Sequence, residues 1–448
     1  MNVFFSIFDA IQKAGPTVIL PIIITIFGLV FRLNLAKAFR SGLIVGIGFA
    51  GINLVINLLK GSLGDASQAM VKNWGISLDI IDVGWGAIAA VTWASPIIPI
   101  LIFVIFAVNI ILLIINKTNT LDVDIWNYHH MAIVGVMVYF VTHNLILAVL
   151  STIIMALVAL KFSDWTAPYV EKFFGLPGVS LPTMSALSSI VIAAPLNALI
   201  DRIPGLNKID FSLKDAKKTL GFFGEPMMIG LILGGVIGFL AEYSISDIMR
   251  IAVEMAAVLV LIPKMTALFV EGLMPISEAA KKFAQEKFKG KKLFIGLDAA
   301  VIVGHSAVIT TALIVIPLTI LLAAVLPGNR VLPFADLAVV TFRVAMIVAI
   351  ARGNLFRSIL IGLIQMSAIL YAGTLTSPVL TKLAGSVGLD VANSGLITSF
   401  AATSLTVSFL VFEAFIHKPY LWVPALLIVF FGTWVYVEKK KKVKPAIE

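Results

Sequence analysis

Apolar runs long enough to cross a membrane, separated by short polar breaks, recur along the whole chain. A crossing takes about 20 apolar residues, somewhat fewer or more with tilt. Residues 16–31 lead into the first such run, followed by Arg32, Lys37 and Arg40, and residues 42–59 give the second. The second carries Gly46, Gly48 and Gly51, small residues that allow close helix packing. Asn53 and Asn57 share a face of it and read first as interhelical hydrogen-bonding groups, with ligand contact the alternative.

Several runs are interrupted. Residues 60–79 are polar enough for a loop or a surface helix. Asp82-Val-Gly-Trp-Gly86 then opens a long segment broken by Thr92-Trp-Ala-Ser-Pro96 and Pro99 and apolar again to Ile115, the pattern of a discontinuous membrane helix. A polar connector over 116–130 ends in Trp126-Asn-Tyr-His-His-Met131, and a helix is predicted over 131–160 with an interruption at His143 and Asn144. Residues 162–178, with Pro168 and Pro177, read as a loop, and 181–199 as a short or re-entrant element because hydroxyls and helix breakers open it. Residues 222–240 and 251–270 predict a hairpin around the acidic turn 242–247. Residues 277–288, apolar positions among lysines and acids, predict an interfacial helix, with a solvated connector as the alternative.

Five late runs lie near 309–326, 337–351, 355–375, 397–416 and 422–437. Basic loops favour the cytoplasmic side. If all five crossed, the arginine-bearing turn 352–357 and the lysines at 439–444 would fall on opposite sides, so one run is expected to be re-entrant or broken. Residues 397–416 are the candidate, because Thr403, Ser404, Thr406, Ser408 and Glu413 make that run unusually polar. The broken segments 82–99 and 296–308 occupy opposite halves, which admits an inverted repeat, although no tandem repeat of fixed period is visible.

Composition turns these runs into a class. The chain has 448 residues, 60% hydrophobic and 13% charged, with mean hydropathy +1.06. A soluble domain has roughly 45–50% apolar and about 25% charged residues. The expectation is therefore an all-α polytopic membrane protein, a single integral-membrane unit over 1–448 with a cytoplasmic basic tail at 439–448. The same charge rule puts the N-terminus outside, and the first residues lack the basic leader and cleavage site of a removable signal. The net charge of +9 is concentrated in juxtamembrane lysines at 281–292 and 439–444, so it does not point to nucleic acid. With no cysteine, the chain can form no disulfide, thiolate metal site or cysteine-linked intermediate.

Two places carry candidate chemistry. Glu225, between Gly224 and Pro226, stands at the mouth of an apolar run, where an acid must be satisfied by protein, ligand or water; a juxtamembrane Glu at the water boundary is the alternative. Asp298 and His305 are the ionisable groups of the apolar stretch 293–308, and if it is helical their separation puts both on one face. A charge at the membrane centre costs about 2.5–3.5 kcal/mol on insertion scales, which favours a functional reading over a structural Asp–His pair. No phosphate loop, G-x-S-x-G elbow or H-E-x-x-H motif is present. His129 and His130 are adjacent, pointing about 100° apart on a helix, so no metal and no cofactor is expected. Carboxylate, imidazole, amide and hydroxyl groups suit a neutral polyhydroxylated solute, with Trp85 and Trp93 available to cover its carbon skeleton or to serve as interfacial anchors.

A series of motifs in order along nearly the whole chain gives this inventory a family resemblance. They are Gly15-Pro-Thr-Val18, Leu20-Pro-Ile22, Gly46-Ile-Gly-Phe49, Asp82-Val-Gly-Trp85, Thr92-Trp-Ala-Ser95, Asp122-Val-Asp-Ile-Trp-Asn127, Phe223-Gly-Glu-Pro226, Phe294-Ile-Gly-Leu-Asp298, Gly304-His305, Pro327-Gly-Asn329, Val331-Leu-Pro-Phe334 and Arg352-Gly-Asn-Leu-Phe-Arg357. The chain resembles the membrane IIC subunit of bacterial galactitol-type phosphotransferase systems. The resemblance implies a permease that binds galactitol or a similar alditol and carries it inward by alternating access. A phosphocysteine on a separate IIB protein, charged through IIA, would phosphorylate it there. With the related ascorbate permeases, it implies about 10–12 transmembrane segments with re-entrant hairpins. It also implies discontinuous scaffold and substrate-transport subdomains, elevator-like movement and a homodimer in the bacterial cytoplasmic membrane. Carried over by motif position, the substrate-binding candidates are Glu225, Asp298, His305 and His130, with Asp82 and Thr92 beside them. The galactitol pattern has an Ile-Pro-His run where this chain has Leu181-Pro-Thr183, and Thr183 cannot take up a proton as His can, so another hexitol or pentitol is the neighbouring alternative. Two other classes stand beside this one: an ion-coupled secondary transporter relaying protons through Asp298, His305 and Glu225, and, last, an intramembrane enzyme, for which no nucleophile–base motif is present.

Overall fold

The computed structural model describes residues 16–74, 78–122, 124–209, 225–287, 293–389 and 395–443. Residues 210–224, which include the glycine-rich start of the run at 221–230, the end of the lysine stretch at 288–292 and the tail beyond 443 lie outside the described residues.

The chain is built twice from one order of elements. The first half runs α1 (Pro16–Val30), α2 (Leu35–Trp74), β1 (Ile80–Asp82), α3 (Trp85–Trp93), α4 (Ile98–Ile114), β2 (Thr120–Asp122), a 3-10 turn, α5 (Tyr128–Thr142), α6 (Leu145–Phe174), β3 (Val179–Ser180), α7 (Met184–Leu187) and α8 (Ile190–Ile200). The second repeats the plan with α9 (Pro226–Leu240), α10 (Ile245–Lys287), β4 (Phe294–Gly296), α11 (Ala300–Val303), α12 (Ser306–Val325), β5 (Val331–Leu332), a 3-10 turn, α13 (Val340–Ile350), α14 (Leu355–Ser386), β6 (Leu396–Thr398), α15 (Thr406–Ile416) and α16 (Pro419–Val443). The strands form two three-stranded parallel sheets, in the orders β5-β1-β6 and β2-β4-β3. Each half therefore lends its first strand to the other half's sheet, with Ile80 opposite Val331 and Leu396, and Ile295 opposite Leu121 and Val179. Sequence periodicity did not predict these strands of two or three residues. They form because chain that leaves a helix at membrane depth must pair its backbone groups within the protein.

Five described helices are long and apolar enough to cross a membrane: Leu35–Val55 within α2, then α6, α12, α14 and Pro419–Lys439 within α16. The pair α3 and α4, bent by 99° at its break, counts as a sixth if taken as one span, and four shorter apolar helices stand beside them. The protein is an all-α polytopic membrane protein in class, and its interrupted runs are where the sequence placed them. The 131–160 helix breaks at His143, which adopts a left-handed conformation (φ 51°), and Asn144 caps α6 through Ile146 and Leu147 N–H. The 397–416 run is a strand, a turn and the 11-residue α15. At 1.5 Å per residue α15 is about 16 Å long, too short for a crossing.

Three expectations are corrected. Residues 162–178 are not a loop, because α6 continues to Phe174 and Gly175 ends it in a left-handed cap (φ 71°). Lys161 and Asp164, polar residues at the start of this stretch, are buried and partnered. Lys161 Nζ donates to Lys117 O (2.9 Å) and lies 3.4 Å from Asp164, 3.5 Å from Glu438 of α16 and 4.4 Å from the centre of the Trp434 ring. Asp164 in turn accepts from Thr120 Oγ1 (2.9 Å) and Asn119 N (3.1 Å), tying α6 to β2. Residues 277–288 are not a separate interfacial helix; through Lys287 they continue α10, a helix of 43 residues. Asp298 and His305 do not share a helical face, because β4, a turn, the four-residue α11 and a break before α12 replace one helix.

Helices α2 and α10 pack antiparallel: Gly272 of α10 approaches Ser41 and Val45, Ser62 Oγ donates to Glu254, and Asn73 donates to Ala241 O. Helix α9 folds back on α10 through Gly230, Gly234 and Gly238; a Cβ at Gly234 would sit 2.7 Å from Ala252 Cα, so only glycine allows that approach. The rest of the chain packs around the two sheets.

Lys161→Met should leave Asp164 buried without its cation and loosen both β2 and α16. The expected loss is about 3 kcal/mol, read as a lower melting temperature of the purified protein in detergent. An unchanged melting temperature would show that the cluster is not holding β2.

Candidate functional site

Each sheet ends in a polar node. At the first, Asp82 is fully buried at the end of β1 and accepts from the N–H groups of Gly84 (3.1 Å), Phe334 (3.1 Å) and Asp336 (2.8 Å). Asp336, also fully buried, accepts from Trp85 N (2.9 Å), Ser399 Oγ (2.6 Å) and Phe400 N (2.6 Å). Gly84 has φ 84°, and a Cβ there would lie 2.9 Å from Ala335 Cβ, so the turn into α3 requires glycine. All four carboxylate oxygens of this node are engaged by chain from both halves.

The second node has the same plan and a different state of satisfaction. Asp298 follows β4; its Oδ1 accepts from Ala300 N (2.7 Å), and its Oδ2 faces Thr183 Oγ1 at 3.3 Å. Thr183 Oγ1 accepts from Ala299 N (2.8 Å) and also lies 3.0 Å from Asn127 Oδ1. A hydroxyl has one proton, so it can serve only one of those two acceptors at a time. Nearby, Ser180 Oγ and His130 Nδ1 are buried with no hydrogen-bond partner among the described residues, while Asp122 and the Asn127 side chain face each other. Buried polar atoms are paired in roughly nine cases of ten, so a cluster of open ones marks hydrogen-bonding capacity held for something other than the fold.

A small cavity lies between the nodes, with about 30 Å³ of space open to water inside an empty volume of about 310 Å³ that includes its open mouth. Trp85, Trp126, His130, Ser185, Asp298 and Arg343 line it. Trp85 and Trp126 meet edge to face, with ring centroids 5.6 Å apart. Trp126 also packs on His129 (4.6 Å), which packs on His130 (3.9 Å), while His129 Nδ1 is held 2.6 Å from Trp126 O. The two halves supply equivalent parts: the chain after the first strand gives Trp85 and Asp298, and the helix after the second gives His130 on α5 and Arg343 on α13. Ser185 follows the third strand of the first half, and Ala401 follows that of the second.

The candidates read from sequence separate into two groups. Asp298 and His130 line the cavity. The other four sit elsewhere. Asp82 closes the first node, one turn from Trp85. Thr92 is buried inside α3 and donates to its own helix at Ile88 O (2.8 Å). His305 caps α12 by accepting from Ala307 N (3.3 Å), with its ring against Phe173 (4.8 Å) and Phe174 (5.4 Å) at the end of α6. Glu225 is exposed at the start of α9 and makes no side-chain cap there. Of the two tryptophans, Trp85 reaches the cavity and Trp93 is fully buried in the core. Arg343 and Ser185, which also line the cavity, were not singled out from the sequence, and Thr183 was singled out only for solute preference. The signal for Arg343 was available, since it is the one charged residue of the run 337–351 and an ionisable residue inside an apolar run is a functional candidate by default.

Helices interrupted at two facing nodes, with a small aromatic and polar cavity between them, are the architecture of a membrane permease for a small polar solute. The chain belongs to the family described as the sugar-specific permease component of the phosphotransferase system (EIIC-GAT), whose model matches residues 10–431. It is 39% identical over 412 residues to the galactitol-specific EIIC component of Escherichia coli K12, covering 92% of this chain and 91% of that one. It is also 40% identical over 385 residues to a putative permease IIC component of the same strain, covering 86% of this chain and 88% of the other.

The two nodes should respond differently to truncation. Asp336→Ala orphans three buried donors at about 1–3 kcal/mol each and should strongly lower the melting temperature. Asp298→Ala removes a half-buried carboxylate at the cavity and should cost about 1 kcal/mol or less. Equal losses in thermal unfolding would contradict the division into a structural node and an open one.

Proposed function

We propose that the chain is the polyol-carrying permease subunit of a phosphotransferase system, taking galactitol or a closely similar alditol. The observation that carries this reading is the cavity between the nodes, where Asp298, His130 and Arg343 lie beside the faces of Trp85 and Trp126. Each alditol hydroxyl can donate once and accept twice. Asp298 accepts from one hydroxyl, His130 Nδ1 engages another, and Trp85 and Trp126 cover the carbon chain. A solute lacking a matching hydroxyl leaves a buried polar group unpaired, which is the source of selectivity.

The chain has no cysteine, so the phosphocysteine donor belongs to a separate IIB protein, supplied through IIA. The phosphorylated product carries charge and is trapped inside. The packed hairpins α1–α2 and α9–α10 serve as the scaffold, and the elements around the two sheets serve as the substrate-carrying part, moving as an elevator within a homodimer in the bacterial cytoplasmic membrane. The turn bearing Arg352 and Arg357 contacts the loop after α8, through Arg357 to Asp201 and Asn354 Nδ2 to Ile209 O (2.9 Å). Both are assigned to the cytoplasmic side on the charge rule. Gly353 faces Phe173, so the break at His305 lies at the same side.

The test is alditol uptake into vesicles holding the purified protein, with and without phosphorylated IIB inside. Accumulation of alditol phosphate only with phospho-IIB is expected. Uptake driven by a pH gradient without IIB would replace this reading with an ion-coupled transporter. Asp298→Asn and His130→Gln should each cut alditol affinity about 10- to 100-fold, the worth of one hydrogen bond involving a charged or buried group. Glu225→Gln should leave it unchanged. Unaltered binding in both cavity variants would remove the cavity from the mechanism.

A further inference from the structure

Arg343 is 2% exposed and is the one charged residue on α13. A guanidinium does not deprotonate inside a protein, and a buried charge needs both a counter-charge and hydrogen-bond partners. The counter-charge is present: Asp336 and Asp82 are the carboxylates acting on it. The hydrogen bonds are incomplete. Every oxygen of those carboxylates is already engaged by other donors in the first node, and no ion pair to Arg343 occurs among the described residues. Nη1 donates to Ser185 O at 3.2 Å, while Nε is buried without a partner. The side chain lines the same cavity as Asp298 and His130.

We infer that Arg343 is a specificity-determining residue of the permease, whose Nε–H donates to one hydroxyl oxygen of the bound alditol. The inference rests on the alditol reading and deepens it. A guanidinium can only donate and an ionised carboxylate can only accept, so Arg343 and Asp298 ask different things of the solute. Arg343 requires an oxygen at one carbon, and Asp298 requires an O–H at another. A run of hydroxyls meets both requirements, whereas a solute deoxygenated at the Arg343 position leaves Nε unpaired, as it is without solute. If Arg343 served only to balance Asp82 and Asp336, any cation of similar reach would do and solute selectivity would not depend on it.

The test measures binding of galactitol and its monodeoxy analogues to the purified protein by calorimetry, for the wild type and Arg343→Lys. Lys keeps the charge but lacks the planar Nε–H. The wild type should lose about 10-fold or more in affinity for one particular deoxy analogue, the worth of one charge-assisted hydrogen bond. Arg343→Lys should bind galactitol more weakly and lose that one penalty, while the penalties at the other carbons persist. If Arg343→Lys keeps the wild-type penalty at every carbon, with or without a uniform drop in affinity, Arg343 is only a charge balancer and the inference is overturned. Should Arg343→Lys fail to fold, Arg343→Gln, which leaves the Asp82–Asp336 clasp in place, is measured in the same way and the same two outcomes apply to it. If the wild type binds neither galactitol nor another alditol, the alditol reading itself fails and takes this inference with it, a result distinct from an unchanged deoxy profile.

Discussion

Backbone that leaves a helix inside a membrane has no water to turn to, and this constraint organises the protein. Helices α3–α4 and α11–α12 are both interrupted, and the chain entering each has to pair its amides and carbonyls somewhere. Two small parallel sheets do this, each taking its central strand from the opposite half. The exchange has a structural consequence beyond hydrogen bonding. Neither half can complete its sheet alone, so the halves are joined at the two places where helices are broken, and the cavity lies between those places.

The same plan used twice has been filled in two ways. At the first node Asp82 and Asp336 engage six donors and leave no oxygen free, which makes the node a clasp between the halves. At the second, one threonine hydroxyl is shared between Asn127 and Asp298, and Ser180 and His130 hold atoms without a partner among the described residues. Partly satisfied polar groups in a low-dielectric interior are costly to stability, and functional sites are where such costs are retained. Thr183 connects the two aspects, since its hydroxyl touches both Asn127 and Asp298. A hydroxyl there can orient the carboxylate but cannot exchange a proton with it near neutral pH. Any difference in alditol preference between this permease and its galactitol-specific relatives has a physical place to arise.

Local pattern reached far into this protein. Hydropathy established the membrane class, and proline, glycine and hydroxyl placement located the breaks at 82–99, 143–144, 181–199 and 397–416. Asp298 and His130, which line the cavity, were legible as candidates because polar groups in apolar surroundings are expensive enough to need a purpose. The misreadings share one cause. Pro168 and Pro177 suggest a loop over 162–178, whereas α6 carries Pro168 inside the helix and runs on to Phe174, with Lys161 and Asp164 partnered by Lys117 O, Thr120 and Glu438. His305 was expected to face Asp298 because seven residues separate them, but the separation counts only if the helix is continuous.

What the sequence determined by itself was everything that depends on neighbours in the chain: which stretches prefer lipid, where helices cannot continue, and which ionisable groups are out of place. Only the tertiary structure decided which breaks meet. Ile80 pairs with Val331 and Ile295 with Leu121, contacts across most of the chain that no local periodicity encodes. Those pairings bring Arg343 and Ser185 to Asp298 and His130, leave Glu225 exposed at the start of α9, and turn Asp82 from a ligand candidate into a clasp. The reason is physical: periodicity reports the environment of one segment, whereas a site requires several segments to leave polar atoms unspent at one point.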